Sequence, residues 1–264
     1  MRTIGFLGFG NMANAIAKGI VRDRDLAVDL SAYDKDSLFL RDYIGLIEES
    51  DTALQLASKS RYIFLCVKPQ MLKDALEPLA GALTEEHILV SIVAGVTVET
   101  IKNMTGRRCP VIRTMPNTPM LLGNGATAIA KPSDISDEDY LFVKSIFETV
   151  GAVYEIPQDR FNEVIPVNGS SPAFIYLFSE IIAQEAEKNG LNYDMAVDMF
   201  AKTLIGSAMM ILESGKTLDE LIAMVSSKGG TTVAALSEMH MTGFDDSLKA
   251  GIKACIDRAY ELGN

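Results

Sequence analysis

The sequence predicts an α/β fold: a mostly parallel sheet flanked by helices in the first half, followed by an all-helical second half. Three observations carry this. Short apolar runs rich in β-branched residues alternate with helical patterns as far as about residue 158, the order that builds βαβ units. One run, residues 62–67, is apolar throughout, as a strand buried on both faces must be. Beyond Gln158 the strand pattern stops and only helical periodicity remains, which sets the expected division at 1–158 and 159–264. A chain of 264 residues, 48% apolar, is long enough to give each part a core.

In order, residues 3–7 form a short β-favouring run, followed by Gly8-Phe9-Gly10-Asn11-Met12-Ala13 and a helical pattern carrying Ile16, Ile20 and Val21. Strand, glycine turn and helix in that order give a G-x-G-x-x-A match its meaning as a Rossmann-type dinucleotide turn. Gly8 serves the tight turn, Gly10 admits a pyrophosphate to the backbone, and Ala13 replaces the third glycine at the helix–strand contact. Phe9, Asn11 and Met12 complete the cofactor loop. A second strand, residues 28–33, ends at Asp34, about where an acid takes the adenosine ribose. Asp34 favours NADH by accepting from the 2′-hydroxyl and repelling a 2′-phosphate, while neighbouring Lys35 offsets that repulsion. A turn, Asp34-Lys35-Asp36, capping the next helix fits the same residues. Both NADPH and NADH therefore stay open as cofactor.

Helical stretches at 37–44 and 51–57 precede the buried strand, which Lys68-Pro69 ends. Ligands of open parallel sheets collect at strand C-termini, so Cys66, Val67, Lys68 and Pro69 are expected to border the cofactor. A helix over 70–80, a strand over 87–93, the turn Ala94-Gly95 (also at the cofactor edge) and a helix from Val98 follow. Val111-Ile112 runs into Arg113-Thr114-Met115-Pro116-Asn117-Thr118-Pro119, a loop stiffened by two prolines. Asn117 fits either a structural turn or a nicotinamide contact, and its place after a strand favours the contact. Residues 125–130, a helix over 136–150 and a strand near 152–156 close this half.

In the second half, Asn168-Gly169-Ser170-Ser171-Pro172 reads as a turn with Pro172 at the first helical position, and the helix it opens runs to Lys188 before Asn189-Gly190. Helices over 193–214, 218–225, 231–239 and 245–262 follow. Methionines cluster between Met195 and Met241; at helical spacing they are usually core filler. Helices apolar on more than one face nevertheless need something to bury against, so this half is expected to be a dimer interface as well.

Between two of those helices lies Ser226-Ser227-Lys228-Gly229-Gly230-Thr231-Thr232. Glycines that turn the backbone N–H groups outward, a helix start and hydroxyl side chains together make an anion site; a capped helix–helix turn fits the same residues.

A net charge of −11 and a pI near 4.7 argue against nucleic acid or an anionic membrane as partner. Cys66, Cys109 and Cys255 are odd in number and far apart, which suggests neither a disulfide framework nor a zinc site and fits a reducing compartment. Met1-Arg2 leads straight into a strand pattern without a secretory segment, and the apolar run at 172–182 is half a membrane span, so a soluble cytoplasmic protein is expected. His87 and His240 have no partner at recognisable spacing, and neither G-x-S-x-G nor H-E-x-x-H occurs, so no metal or serine-nucleophile chemistry is expected.

Gly8 to Ala13, Val67-Lys68-Pro69, Val111 to Pro119, Gly169-Ser170-Ser171-Pro172-Ala173-Phe174 and Ser226 to Thr232, in this order and spacing, resemble the pyrroline-5-carboxylate reductase family over nearly the whole chain. The resemblance implies reduction of 1-pyrroline-5-carboxylate to L-proline by NADPH or NADH, with a Rossmann domain over 1–158 and a helical substrate-binding and dimerisation domain over 159–264. The helical domains of that family interleave as dimers, often assembled into rings. Carried over, Ser227, Gly229, Gly230 and Thr231 match the group that holds the substrate carboxylate, and Thr232 matches the catalytic hydroxyl on the ring nitrogen. Three residues depart from the family pattern: Asn168 for serine, Lys228 for proline, and Asp34 where a 2′-phosphate is often read by serine. Two other readings stay beside this one. One is a reductase of the hydroxyacid-dehydrogenase kind, for which Lys202 is the candidate base. The other is a non-catalytic dinucleotide-binding paralogue with a regulatory or assembly role.

Overall fold

The computed structural model describes residues 2–36 and 38–263; Ser37, where the first of the expected helical stretches begins, lies outside them with Met1 and Asn264. β1 (Arg2–Leu7) runs through the glycine turn into α1 (Asn11–Arg22), and β2 (Val28–Tyr33) pairs parallel to β1, with Leu7 opposite Tyr33. After β3 (Glu48–Glu49) come α2 (Ala53–Lys59), β4 (Tyr62–Leu65), α3 (Leu72–Leu76), β5 (Ile88–Ser91), α4 (Val98–Met104) and β6 (Val111–Met115). β7 (Gly125–Ala130), α5 (Asp137–Glu148) and β8 (Gly151–Glu155) complete one eight-stranded sheet in the order β3-β2-β1-β4-β5-β6-β7-β8. Every pairing is parallel except β6 with β7.

β4 behaves as its composition predicts. Tyr62 and Phe64 face a cluster with Phe6, Ile16 and Phe147, while Ile63 and Leu65 face Leu56, Leu72 and Ile101 on the opposite side. Each such side chain removed from water stabilises the fold by about 1.5–3 kcal/mol, so a strand buried on both faces secures both helical layers. Thr52 and Ser136 cap α2 and α5 by accepting the N–H of Gln55 and Asp139 at 3.1 Å each.

Three local expectations need correction. The helix over 70–80 is broken into a 3₁₀ turn at Pro69–Met71, α3, and a second 3₁₀ turn at Glu77–Leu79; the second break falls at Pro78, which has no N–H to donate to a continuous helix. Within the described part of the stretch at 37–44, Phe39–Tyr43 is a 3₁₀ turn, and β3, two exposed glutamates paired to Ser31 and Ala32, has no apolar signal by which it could be read. The Asn168 to Pro172 segment is helical: α6 (Phe161–Val164) passes through a π turn (Ile165–Gly169), closed by the Ser170 N–H donating to the Ile165 carbonyl at 2.8 Å, into α7 (Ser171–Lys188).

The chain divides into two compact units, Met1–Pro172 with Cys255–Asn264, and Ala173–Ala254. The second consists of most of α7, α8 (Tyr193–Glu213), α9 (Leu218–Met224), α10 (Thr231–Met241) and the start of α11 (Phe244–Gly263). Its helices have sound local signals, such as the Thr217–Glu220 capping box of α9. Among its described residues, however, Ala183 and Ala196 are the only buried apolar ones. α8, with mean hydropathy 1.5, is also long and apolar enough by length and composition to cross a membrane, a length the run at 172–182 does not reach.

Candidate active site

At the C-terminal edge of the sheet, Gly8 adopts φ +89°, and a Cβ there would lie 2.8 Å from Val67 Cγ1 and 3.0 Å from Val67 N. Only glycine fits. Its N–H donates to the Tyr33 carbonyl at 2.8 Å, which draws the turn over the end of β2. Gly10 caps α1 with no side-chain acceptor, and a Cβ built on it meets nothing within 4 Å. The amides of the first turn of α1 thus face open space at the positive end of a helix dipole, the arrangement that takes a pyrophosphate. The residues present fit a dinucleotide.

Asp34 stands just beyond β2. Its Oδ2 accepts the Phe9 N–H at 2.5 Å and its Oδ1 accepts the Asp36 N–H at 2.9 Å. The Phe9 ring turns into the core, edge-on to Phe6 and Tyr43 at 5.5 and 5.6 Å between centroids. Phe9 therefore anchors the loop from below while its amide steers Asp34. Gly8, Asp34, Lys35, Val67, Met71 and Asp74 line a cavity of about 440 Å³ with an apolar wall completed by Leu54 and Pro78. That is the shape and polarity suited to an adenosine.

The other residues expected at the cofactor lie along the same edge, with differing occupations. Asn11 and Met12 open α1 beside the turn. Lys68 and Pro69 start the 3₁₀ turn after β4, with Lys68 exposed; Cys66 sits behind them, and burial pushes its thiol well up, away from reactivity. Ala94 packs against the cluster of Met115, Phe161 and Ala259. Gly95, at φ +76°, makes room for the C-terminal helix, since a Cβ there would meet Leu262 Cβ at 2.7 Å. The Asn117 carboxamide is engaged at both ends: Nδ2 donates to the Asn168 carbonyl at 3.2 Å, and Oδ1 accepts the Ala126 N–H at 2.9 Å. Asn168 answers with Nδ2 donating to the carbonyls of Met115 and Ala126 at 2.6 and 2.9 Å. The two asparagines stitch the end of β6, the start of β7 and the π turn together, which gives the stiff loop a structural reason.

In the second unit, Gly229 takes φ +74° and the Gly230 N–H donates to the Ser227 carbonyl at 2.9 Å, closing the turn that precedes α10. Gly230 caps α10 without a side-chain acceptor. A Cβ on it would sit 2.6 Å from Ser227 Oγ, so the Ser227 hydroxyl lies directly over the cap. Thr231 and Thr232 occupy the first two helical positions, Thr231 exposed and Thr232 half-buried, and Lys228 is exposed. Open first-turn amides with hydroxyls beside them suit a carboxylate.

Residues 158–262 match the family model described as pyrroline-5-carboxylate reductase dimerisation, and residues 3–95 match that of an NADP oxidoreductase, coenzyme F420-dependent. A pyrroline-5-carboxylate reductase of Corynebacterium melassecola is 32% identical over 270 residues, covering 100% of this chain and 99% of its own. The chain belongs to the pyrroline-5-carboxylate reductase family. Among solved structures, a 1-pyrroline-5-carboxylate reductase from Streptococcus pyogenes is 27% identical with a TM-score of 0.87, covering 98% of each chain. A pyrroline carboxylate reductase of Plasmodium falciparum with NADP bound, 24% identical, shares the fold over 100% of this chain and 98% of its own at a TM-score of 0.90. The pyrroline-5-carboxylate reductase fold thus accounts for both units.

Sequence reasoning passed over Arg113. It is 4% exposed on β6, donates to Asn162 Oδ1 at 2.9 Å and lies 4.7 Å from the Phe161 ring centroid; burial pushes its pKa down to about 10. It ties α6 to the sheet beneath the asparagine pair. The motif quoted around it gave its position, but its partners, Phe161 and Asn162, lie far along the chain with no local pattern to mark them.

Proposed function

We propose that the chain reduces 1-pyrroline-5-carboxylate to L-proline with NADPH or NADH, the last step of proline biosynthesis. What supports this most is the presence of an open pyrophosphate turn at Gly10 and a hydroxyl-lined helix start at Ser227 to Thr232, on a chain 32% identical to a reductase of that name over its full length. Bound NADPH or NADH supplies the hydride that adds to the imine carbon.

The chain's own residues bind, orient and move one proton. Ser227 Oγ and the amides of Gly229, Gly230 and Thr231 hold the carboxylate through charge-assisted hydrogen bonds. The Thr232 hydroxyl donates to the ring nitrogen as the electron pair of the C=N bond settles there, and takes its proton back from water. An imine that gains a hydride at carbon and a proton at nitrogen needs no strong base, consistent with a site built without histidine. The two units then divide the work: the cofactor residues lie in the first and the substrate handle in the second.

The uncovered apolar faces of α7 and α8 are read as the surface on which copies of this chain associate, as dimers that build higher rings. On that reading α8 is an interface helix of a soluble cytoplasmic enzyme, in which Cys66, Cys109 and Cys255 stay as free thiols.

Following absorbance of the reduced cofactor in the presence of pyrroline carboxylate tests the reaction: folded protein that oxidises neither NADH nor NADPH refutes it. Thr232→Ala should lower kcat by roughly 10²-fold. Ser227→Ala should mainly raise KM, by about tenfold, with kcat little changed. If Ser227→Ala weakened dinucleotide binding instead, the carboxylate does not belong at this loop.

A further inference from the structure

We infer that this chain selects NADH over NADPH, and that Asp34 is the residue that does so. The inference rests on the dinucleotide reading of the first unit.

A carboxylate is acceptor-only, with about four lone-pair sites on its two oxygens. The backbone takes one on each oxygen of Asp34: the Phe9 N–H on Oδ2 at 2.5 Å and the Asp36 N–H on Oδ1 at 2.9 Å. Two consequences follow. The carboxylate is fixed in orientation by the glycine turn and by its own turn, so it cannot swing aside for a bulkier ligand. Each oxygen also keeps room for one further donor, and a ribose with free 2′- and 3′-hydroxyls brings two. A 2′-phosphate brings acceptor oxygens and negative charge to a place where, among the described lining residues, the Lys35 ammonium is the one cation to meet them.

The charges around the cavity point the same way. Among the described residues lining it, Asp34 and Asp74 are anionic and Lys35 is the one cation. Lys35 is exposed, next in sequence to the carboxylate it would have to outweigh. Arg41, the first arginine after β2, is not part of the lining. A phosphate site of ordinary design sets several guanidinium or ammonium groups against its charge. With no guanidinium here, one flexible ammonium faces two carboxylates. The apolar wall of Leu54, Met71 and Pro78 receives the adenine of either cofactor equally and does not discriminate. Discrimination therefore falls to the carboxylate.

The chain contains no tryptophan, so binding can be read from reduced-nicotinamide fluorescence without a competing indole, and without substrate. Wild-type protein should bind NADH about tenfold or more tightly than NADPH at low salt, with the same order in kcat/KM. Asp34→Asn keeps the size and one acceptor while removing the charge, and should narrow the ratio. Asp34→Ser removes the clash as well and should bring the two cofactors to parity or invert them. Far-ultraviolet circular dichroism and a thermal melt show whether each variant keeps its fold. Equal or tighter NADPH binding by the wild type would overturn the inference, as would an unchanged ratio in both folded variants. Because the ratio is measured without substrate, inactivity toward pyrroline carboxylate would sink the reaction assignment and leave this test standing.

Discussion

The two units of this chain place their apolar residues in opposite ways. In the first, β4 is buried on both faces and its Phe64 ring packs against Phe6 and Phe147 at 5.4 and 5.9 Å between centroids. In the second, one stripe of α8 leaves Ile205 57%, Met209 50% and Leu212 78% exposed. A sheet layered with helices closes its own core, whereas a few long helices with apolar residues all round cannot. The difference teaches that stability is intrinsic to one unit and conditional on association in the other. Covering each exposed side chain of that stripe is worth about 1.5–3 kcal/mol, a gain available only to a partner surface.

The sharpest way to break that comparison is Met209→Asp. A charge buried in an apolar interface costs on the order of 3 kcal/mol per copy, so the variant should lose self-association, read as a fall in mass by light scattering, while NADH binding to the first unit persists. An unchanged mass would mean that α8 is not the interface.

A smaller effect, confined to the first unit, is expected from Gly10→Ala. Gly10 has φ −85° and no neighbour within 4 Å of a Cβ, so alanine fits without strain and the melting temperature should hardly move. The methyl would occupy the space in front of the turn, and dinucleotide affinity should fall by roughly 10²-fold. Retained affinity would show that the pyrophosphate does not approach there.

The smallest effect concerns Asp139 at the start of α5. Burial opposes its ionisation, but the Tyr62 and Ser136 hydroxyls and the Arg61 guanidinium, 3.0 Å away, more than offset this and hold it below its ordinary 3.8. A depressed carboxylate contributes stability that is fully present above 3.8 and is lost as pH falls through the lower folded value. Asp139→Asn should therefore cost about 1 kcal/mol at neutral pH, with the gap to wild type closing in melts taken below that range.

What could be read in advance follows from how local each signal is. β2 was legible to its last residue because a segment with Val28, Leu30, Ala32 and Tyr33 ends in an acid and a turn. The alternation of strand and helix carries the sheet class, and glycines followed by hydroxyls mark the start of α10. The helix over 70–80 failed where Pro78 outweighed apolar spacing. The Asn117–Asn168 stitch, the Arg113–Phe161 stack and the accommodation of Leu262 by Gly95 join residues far apart in sequence, and no period or spacing encodes such meetings. At Asp34 the sequence named the residue, but whether its carboxylate was free or already held by the Phe9 and Asp36 amides required coordinates.

The final helix carries one more consequence. Leu262 sits against Gly95, the Tyr260 hydroxyl donates to Glu163 at 2.7 Å, and Ala259 fills the cluster around Met115 and Phe161. The segment from Cys255 onward thus belongs to the first unit, although the whole of the second is translated before it. A ribosome making this protein releases all eight strands long before the piece that closes the cluster around Met115 and Phe161. Until that piece emerges, the apolar patch at Met115, Phe161 and Ile165 stays open, and the nascent chain depends in that interval on solubility or on a chaperone.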